Sequence, residues 1–157
     1  DLSNLKLTVV RMFDAAVKDV WRAWTESDLL DQWWAPKPWK AETKSMSFKP
    51  GGRWLYAMVG PDGERNWSKV DYFTIDEYKS FDSEDCFCDE EGNLDSTMPV
   101  MKWHHKFQAV GEGTKVTIEL TFSNEEDMKK LLEMGFEEGF KMGLGNLEAL
   151  LAAKAVV

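Results

Sequence analysis

Cysteine, histidine and proline are scarce in this chain: two, two and five among 157 residues. Cys86 and Cys88 stand two apart on a predicted strand, where side chains point the same way but sulfurs are poorly placed to bridge. A disulfide scaffold is therefore excluded. The thiols are read as reduced and the location as cytoplasmic. Two Cys and two His in no zinc-like spacing make a thin ligand set, so neither a metal nor a cofactor is expected. Apolar runs stay at a handful of residues, against the roughly 20 needed to span a bilayer as a helix. The start, Asp1-Leu2-Ser3-Asn4, lacks Met and has no basic stretch leading into an apolar one. No signal peptide is read there, and the sequence is read as trimmed at its start. No basic stripe is present to release counterions from phosphate, so nucleic acid is not an expected partner. A phosphate loop is missing too: Pro50-Gly51-Gly52 is a turn without the Lys and Ser/Thr that should follow.

What remains is an apolar, aromatic and acidic chain. At 157 residues it fits one domain, read as spanning 1–157, and can bury a core without staples. Net charge is −9, and residues 76–95 alone hold nine acids against one Lys. Such a run reads as a solvated strand edge or loop; the sharper alternative is a docking surface for a basic partner.

The periodicities give an order of elements. Leu5 to Phe13 reads as a strand. Val17, Val20, Trp21 and Trp24 recur at helical spacing after Asp14-Ala15-Ala16. A second short helix starts near Ser27 or Asp28, carries Leu29, Leu30, Trp33 and Trp34, and stops at Pro36 and Pro38. Six strands follow, at 39–48, 53–59, 67–75, 81–88, 99–110 and 114–122. Their short turns favour antiparallel hairpins. Val116, Ile118, Leu120 and Phe122 alternate with polar residues, so the sheet should have one buried and one wet face. Met101, Trp103, His105 and Phe107 share a face of the strand before. Ser123 and Glu126 form a capping-box pattern opening one long helix that runs to about Ala153. The result is an α+β domain with its main helix on one face of the sheet.

Several residues stand out as candidates. Gly135, Gly139 and Gly143 fall at i, i+4, i+8 on the last helix and form a stripe. It either lets the helix pack close or leaves space beside it. Met128, Met134, Phe136, Phe140 and Met142 flank the stripe and suit an adaptable apolar lining or an ordinary core. Of the eight Trp, Trp39, Trp54, Trp67 and Trp103 lie on predicted strands, each readable as core or as a ligand contact. His105 should point inward, either as a hydrogen-bonded core residue or as a polar anchor in an apolar pocket. Asp71 shares a face with Phe73 and Ile75 on one register and is wet on the other. An inward Asp71 would pair with His105 as acid and base.

These residues also form a familiar series. Arg11-Met12-Phe13 with Val17 and Val20-Trp21-Arg22-Ala23-Trp24-Thr25 resembles the opening of the family related to the activator of the heat-shock-protein-90 ATPase. That family lies within the START-like, Bet v 1-like helix-grip superfamily (SRPBCC). Trp33-Trp34-Ala35-Pro36 resembles its Trp-Trp-Gly-Pro motif, Gly51-Gly52-Arg53-Trp54 its Gly-Gly-x-Trp, and Asp62-Gly63 its hairpin. Gly113-Thr114-Lys115-Val116-Thr117 resembles its penultimate signature. Gly139-Phe140 with Leu144 and Leu147 resembles its closing Gly-Trp-x-x-x-Leu-x-x-Leu. Ala35 stands where Gly is usual, Phe140 where Trp is usual, and Lys69 and Asp71 where the strand is usually more apolar.

The resemblance implies a seven-stranded curved sheet gripping the last helix, with a cavity between them, and no shared catalytic set. The expected function is binding of a small apolar or aromatic molecule, lined by Trp54, Met58, Trp67, Tyr72, Trp103, His105, Phe107, Met134, Phe136 and Phe140. The competing readings are a chaperone cofactor acting through the acidic segment 76–95, and a cyclase- or hydrolase-like enzyme using His105 with Asp71 or a Tyr as acid and base. A second copy of the chain, as a homodimer, is a further partner reading.

Overall fold

The computed structural model describes residues 5–35 and 37–155. Asp1 to Asn4 and Pro36, expected to help end the second helix, lie outside them. Strand β1 (Lys6–Phe13) leads into helices α1 (Val17–Thr25) and α2 (Ser27–Trp33). There follow β2 (Lys40–Met46), β3 (Arg53–Val59), β4 (Arg65–Asp76), β5 (Ser80–Cys88), β6 (Val100–Val110) and β7 (Gly113–Phe122). Helices α3 (Glu125–Glu133) and α4 (Phe136–Ala155) close the series. The strands make one antiparallel sheet in the order β1-β7-β6-β5-β4-β3-β2: a meander of hairpins from β2 to β7, with β1 added outside β7. This is the α+β helix-grip architecture expected from the motifs.

Alternation decides which face is covered. On β7 the buried residues are Thr114, Val116, Ile118, Leu120 and Phe122, and on β6 Met101, Trp103, His105 and Phe107. Val116, Ile118 and Leu120 are wholly shielded, each contributing about 1.5–3 kcal/mol of burial. α1 lays Val20, Trp21 and Trp24 on this face, with the Trp21 ring edge-on to Phe107 at 5.1 Å and Phe81 at 5.7 Å. Trp33 Nε1 donates to the Ala23 carbonyl at 2.9 Å and ties α2 to α1.

The C-terminal helix departs from its expected form. It is two helices broken at Met134-Gly135, where Gly135 takes φ +81°, a conformation only glycine adopts cheaply. The first cap is also one residue later than the Ser123/Glu126 pattern suggested. Asn124 Oδ1 accepts from the Asp127 amide at 2.8 Å. The glycine stripe therefore splits in purpose: Gly135 breaks the helix, whereas Gly143 packs. A Cβ on Gly143 would lie 3.0 Å from the Trp34 carbonyl oxygen and 3.3 Å from that of Trp33.

That contact fixes where α4 lies. Its middle is seated on the C-terminal end of α2, where Asn146 Nδ2 donates to the Ala35 carbonyl at 3.1 Å and approaches that of Trp33 at 3.5 Å. These carbonyls belong to the unsatisfied end of α2, so Asn146 caps it from another helix. Arg11 Nε binds Glu148 Oε1 at 2.8 Å and ties α4 to the edge strand β1. The first turns of α4 are held over the sheet from this anchor, and a cleft lies beneath them.

Candidate functional site

The cleft has a volume of about 290 Å³. Its roof is Phe136, Gly139 and Phe140 of α4 with Leu131 of α3. Its walls are Trp34 and Trp39, and its floor is the inner face of β3 to β6: Tyr56, Met58, Ser68, Asp85, Phe87 and Met101. Asn66, Met134 and Gly135, all exposed, complete the lining and place the mouth at the α3–α4 break. The same break that ended the long helix thus opens the site. Behind it is a second hole of only about 20 Å³, lined in part by Trp24, Trp54, Tyr72, Phe81, Trp103 and His105. Trp34 and Asp85 line both spaces and form the partition.

Asp85 is the chemically unusual residue. β5 runs Phe81, Ser83, Asp85, Phe87 along the inner face, so strand alternation carries a carboxyl into an aromatic interior. It is 7% exposed, and among the described residues no hydrogen bond or ion pair reaches its carboxyl. Burial without a cation pushes its pKa up to about 8. Beside it, Tyr56 Oη accepts from Trp34 Nε1 at 2.9 Å and bonds Ser68. Burial first, and then the charge of Asp85, raise the Tyr56 pKa; the Trp34 and Ser68 hydrogen bonds oppose that rise. Tyr72 is raised for the same two reasons, burial before Asp85. Tyr56 lies stacked on Trp54 at 4.0 Å between ring centres.

His105 points inward as expected, but into the small hole. Its ring stacks on Phe81 at 4.1 Å and on Trp103 at 5.4 Å. Burial, and then the neighbouring His104, lower its pKa to about 3, a hydrogen bond with the Phe81 backbone opposing, so it is neutral at physiological pH. Among the described residues His105 Nδ1, Trp24 Nε1 and Trp103 Nε1 are buried without partners, and all three residues line that hole. Its volume suits one water molecule rather than an organic ligand.

The expected lining residues are distributed accordingly. Met58, Met134, Phe136 and Phe140 line the cleft. Trp54, Tyr72, Trp103 and His105 line the inner hole. Phe107 is plain core against Trp21 and Trp24 and lines neither. Two assignments are corrected. Trp67 is on the outer face, with Lys44 Nζ 5.8 Å from its ring centre; the inner face of β4 is Ser68, Val70 and Tyr72. Asp71 is on that outer face too, paired with Arg53 Nε at 2.9 Å. Regular alternation with Ser68, Val70 and Tyr72 puts both outside, and a bulge between Tyr72 and Ile75 then resets the period: Phe73 is 51% exposed while Ile75 packs inward. Asp71 cannot meet His105 across the sheet, so that acid–base pair does not exist.

Among the cleft residues that the expected lining lacks are Trp34, Tyr56, Phe87, Met101 and above all Asp85. The acids on either side make 76–95 read as a solvated run, yet the spacing Phe81-x-Ser83-x-Asp85-x-Phe87 puts Asp85 between two phenylalanines on one face. Cys86 and Cys88 are free, and burial first pushes the Cys86 thiol up to about 12, which makes it a poor nucleophile. Among the described residues no helix is long and apolar enough to cross a membrane.

Comparison with known proteins places this geometry. The family described as Activator of Hsp90 ATPase homolog 1-like protein matches residues 14–152. A protein from Arthrobacter aurescens, solved by NMR, is 34% identical with a TM-score of 0.92, covering 98% of this chain and 89% of that one. Protein Ms6760 from Mycobacterium smegmatis is 32% identical, TM-score 0.89, covering 98% and 95%. Protein NE0264 from Nitrosomonas europaea is 26% identical, TM-score 0.85, covering 99% of each. No curated protein matches.

Proposed function

Because the chain belongs to the family of Activator of Hsp90 ATPase homolog 1-like proteins, whose helix-grip fold sets a helix across a concave sheet, we propose that it is a binding protein for a small, mainly apolar molecule held in the cleft under α4. The observation that supports this reading is the cleft itself: about 290 Å³, walled by aromatic rings and methionines, with a few convergent polar groups on its floor. That is near the lower end of the size, and has the composition, of ligand sites in general. Three flexible methionines, Met58, Met101 and Met134, let the wall adapt to ligands of differing shape.

The enzyme reading built on His105 and Asp71 loses its second member to the opposite face. The chaperone reading through residues 76–95 is weakened from two sides. Asp85 faces inward, and Asp89 and Asp95 are engaged by their own loops, Asp89 with the amides of Glu91 and Asn93 and Asp95 with Thr97.

Native mass spectrometry of protein purified from its own host tests the proposal. A bound small molecule that leaves on denaturation is expected. Protein that carries nothing and whose thermal transition ignores a broad library of lipids and aromatics would overturn it.

A further inference from the structure

We propose that the cleft selects organic amines: cations with an apolar body, whose ammonium pairs with the Asp85 carboxylate while the rings of Trp34, Tyr56 and Phe140 enclose the rest. This rests on the binding reading above and names the class of ligand.

Three observations carry it. First, Asp85 is more than nine-tenths buried, borders the cleft, and has no protein partner for its carboxyl. Buried carboxylates are ordinarily paired, because an unpaired one forfeits its hydration without return. Among the described cleft-lining residues there is no Lys, Arg or His that could serve, so the cation that would pair with the ionised carboxyl is the ligand's. Second, the neighbouring wall is aromatic. Trp34 is 5.6 Å from Trp54 and 6.1 Å from Phe140 by ring centres. Ring faces attract ammonium groups within about 6 Å, most strongly where water is excluded. Third, the whole chain carries a net charge of −9, which concentrates cations and repels anions near the surface. Among the described cleft-lining residues a ligand carboxylate or phosphate finds no cation to pair with.

The proton balance follows. In the empty protein near pH 7 the Asp85 carboxyl is mostly protonated. Binding an ammonium therefore expels close to one proton from Asp85 to the solvent. The titratable groups around it do not compete. Tyr56, Tyr72, Cys86 and Cys88 are all shifted upward and stay protonated, and His105 is shifted down and stays neutral. Among the described residues, none that titrates lines the cleft from α3 or α4.

The test uses three probes on one skeleton: naphthylmethylamine, naphthylmethanol and naphthoate. Each is titrated into the whole chain at pH 7 and followed by calorimetry in two buffers of different ionisation enthalpy. The amine is expected to bind at least about tenfold tighter than the alcohol, with naphthoate weakest, and to release close to one proton. In Asp85→Asn the amine and alcohol should bind alike with no proton released. Asp85→Ser, with near-ultraviolet circular dichroism to check the fold, guards against a variant that fails for structural reasons. An alcohol that binds as tightly as the amine, or an amine preference that persists in both variants, overturns the amine inference and leaves the binding reading standing. If none of the three binds, the amine inference falls, while the binding reading stands or falls on the mass spectrometry and the broad library.

Discussion

The buried carboxyl makes a quantitative forecast for stability. Asp85 titrates near 8 in the fold against 3.8 as an unperturbed carboxyl. Between those values the unfolded chain has released a proton that the folded chain still holds, so rising pH favours unfolding. The loss is about 1.4 kcal/mol per pH unit, levelling off above pH 8. His105 acts with the opposite sign lower down. Its pKa is about 3 in the fold against 6.5 free, so it costs stability as pH falls below 6.5 and contributes almost nothing to the slope above pH 7. The interval from pH 7 to 8 therefore isolates Asp85. There the loss is about 1 kcal/mol, because the slope is already easing near the folded pKa. Asp85→Asn keeps the shape, cannot ionise, and should remove this slope. By pH 8 it should be more stable than the parent by several kcal/mol, on the order of 5. Urea unfolding followed by tryptophan fluorescence at pH 7, 7.5 and 8 measures both quantities. A parent whose stability is flat across that interval, or an Asn variant that keeps the same slope, would show that the carboxyl is solvated and the reasoning wrong.

Two glycines in α4 should respond oppositely to alanine. Gly145→Ala meets nothing within 4 Å and should stabilise by about 0.5–1 kcal/mol through helix propensity. Gly143→Ala puts its methyl against two main-chain carbonyls of α2 that cannot rotate away, and should destabilise by about 1–3 kcal/mol in the same urea assay. Equal effects of the two would mean that α4 is not seated on α2. Asn146→Leu leaves the Ala35 carbonyl without its donor and should cost about 1–3 kcal/mol; a neutral result would mean that water caps α2 equally well.

Much of the fold was legible because its signals are local. The alternation of Val116, Ile118, Leu120 and Phe122 and the turns Gly60-Pro61-Asp62-Gly63 and Gly111-Glu112-Gly113 act over a few residues, and the strands lie where those signals put them. The errors have a common cause in information that the local pattern does not hold. The helix break at Gly135 was invisible because apolar spacing continues on both sides of it, and a glycine inside a helix and one at φ +81° read alike. The bulge after Tyr72 uncouples Ile75 from Asp71, since one irregular step resets a period of two, so the inward Ile75 does not carry Asp71 with it. Asp85 was hidden by company: outward Asp82 and Glu84 made the whole segment look wet. Asn146 carried no signal, because its partners are more than a hundred positions away in the chain.

The central claim is that a ligand sits beneath the first turns of α4. Methyl NMR on methionine-labelled protein tests it most directly, since Met58, Met101 and Met134 line the cleft while Met12 and Met142 are exposed elsewhere. Adding naphthylmethanol or naphthylmethylamine should shift the first three resonances saturably and leave the last two in place. Shifts confined to Met12 or Met142, or none at any methionine while the probe is bound, would contradict the account.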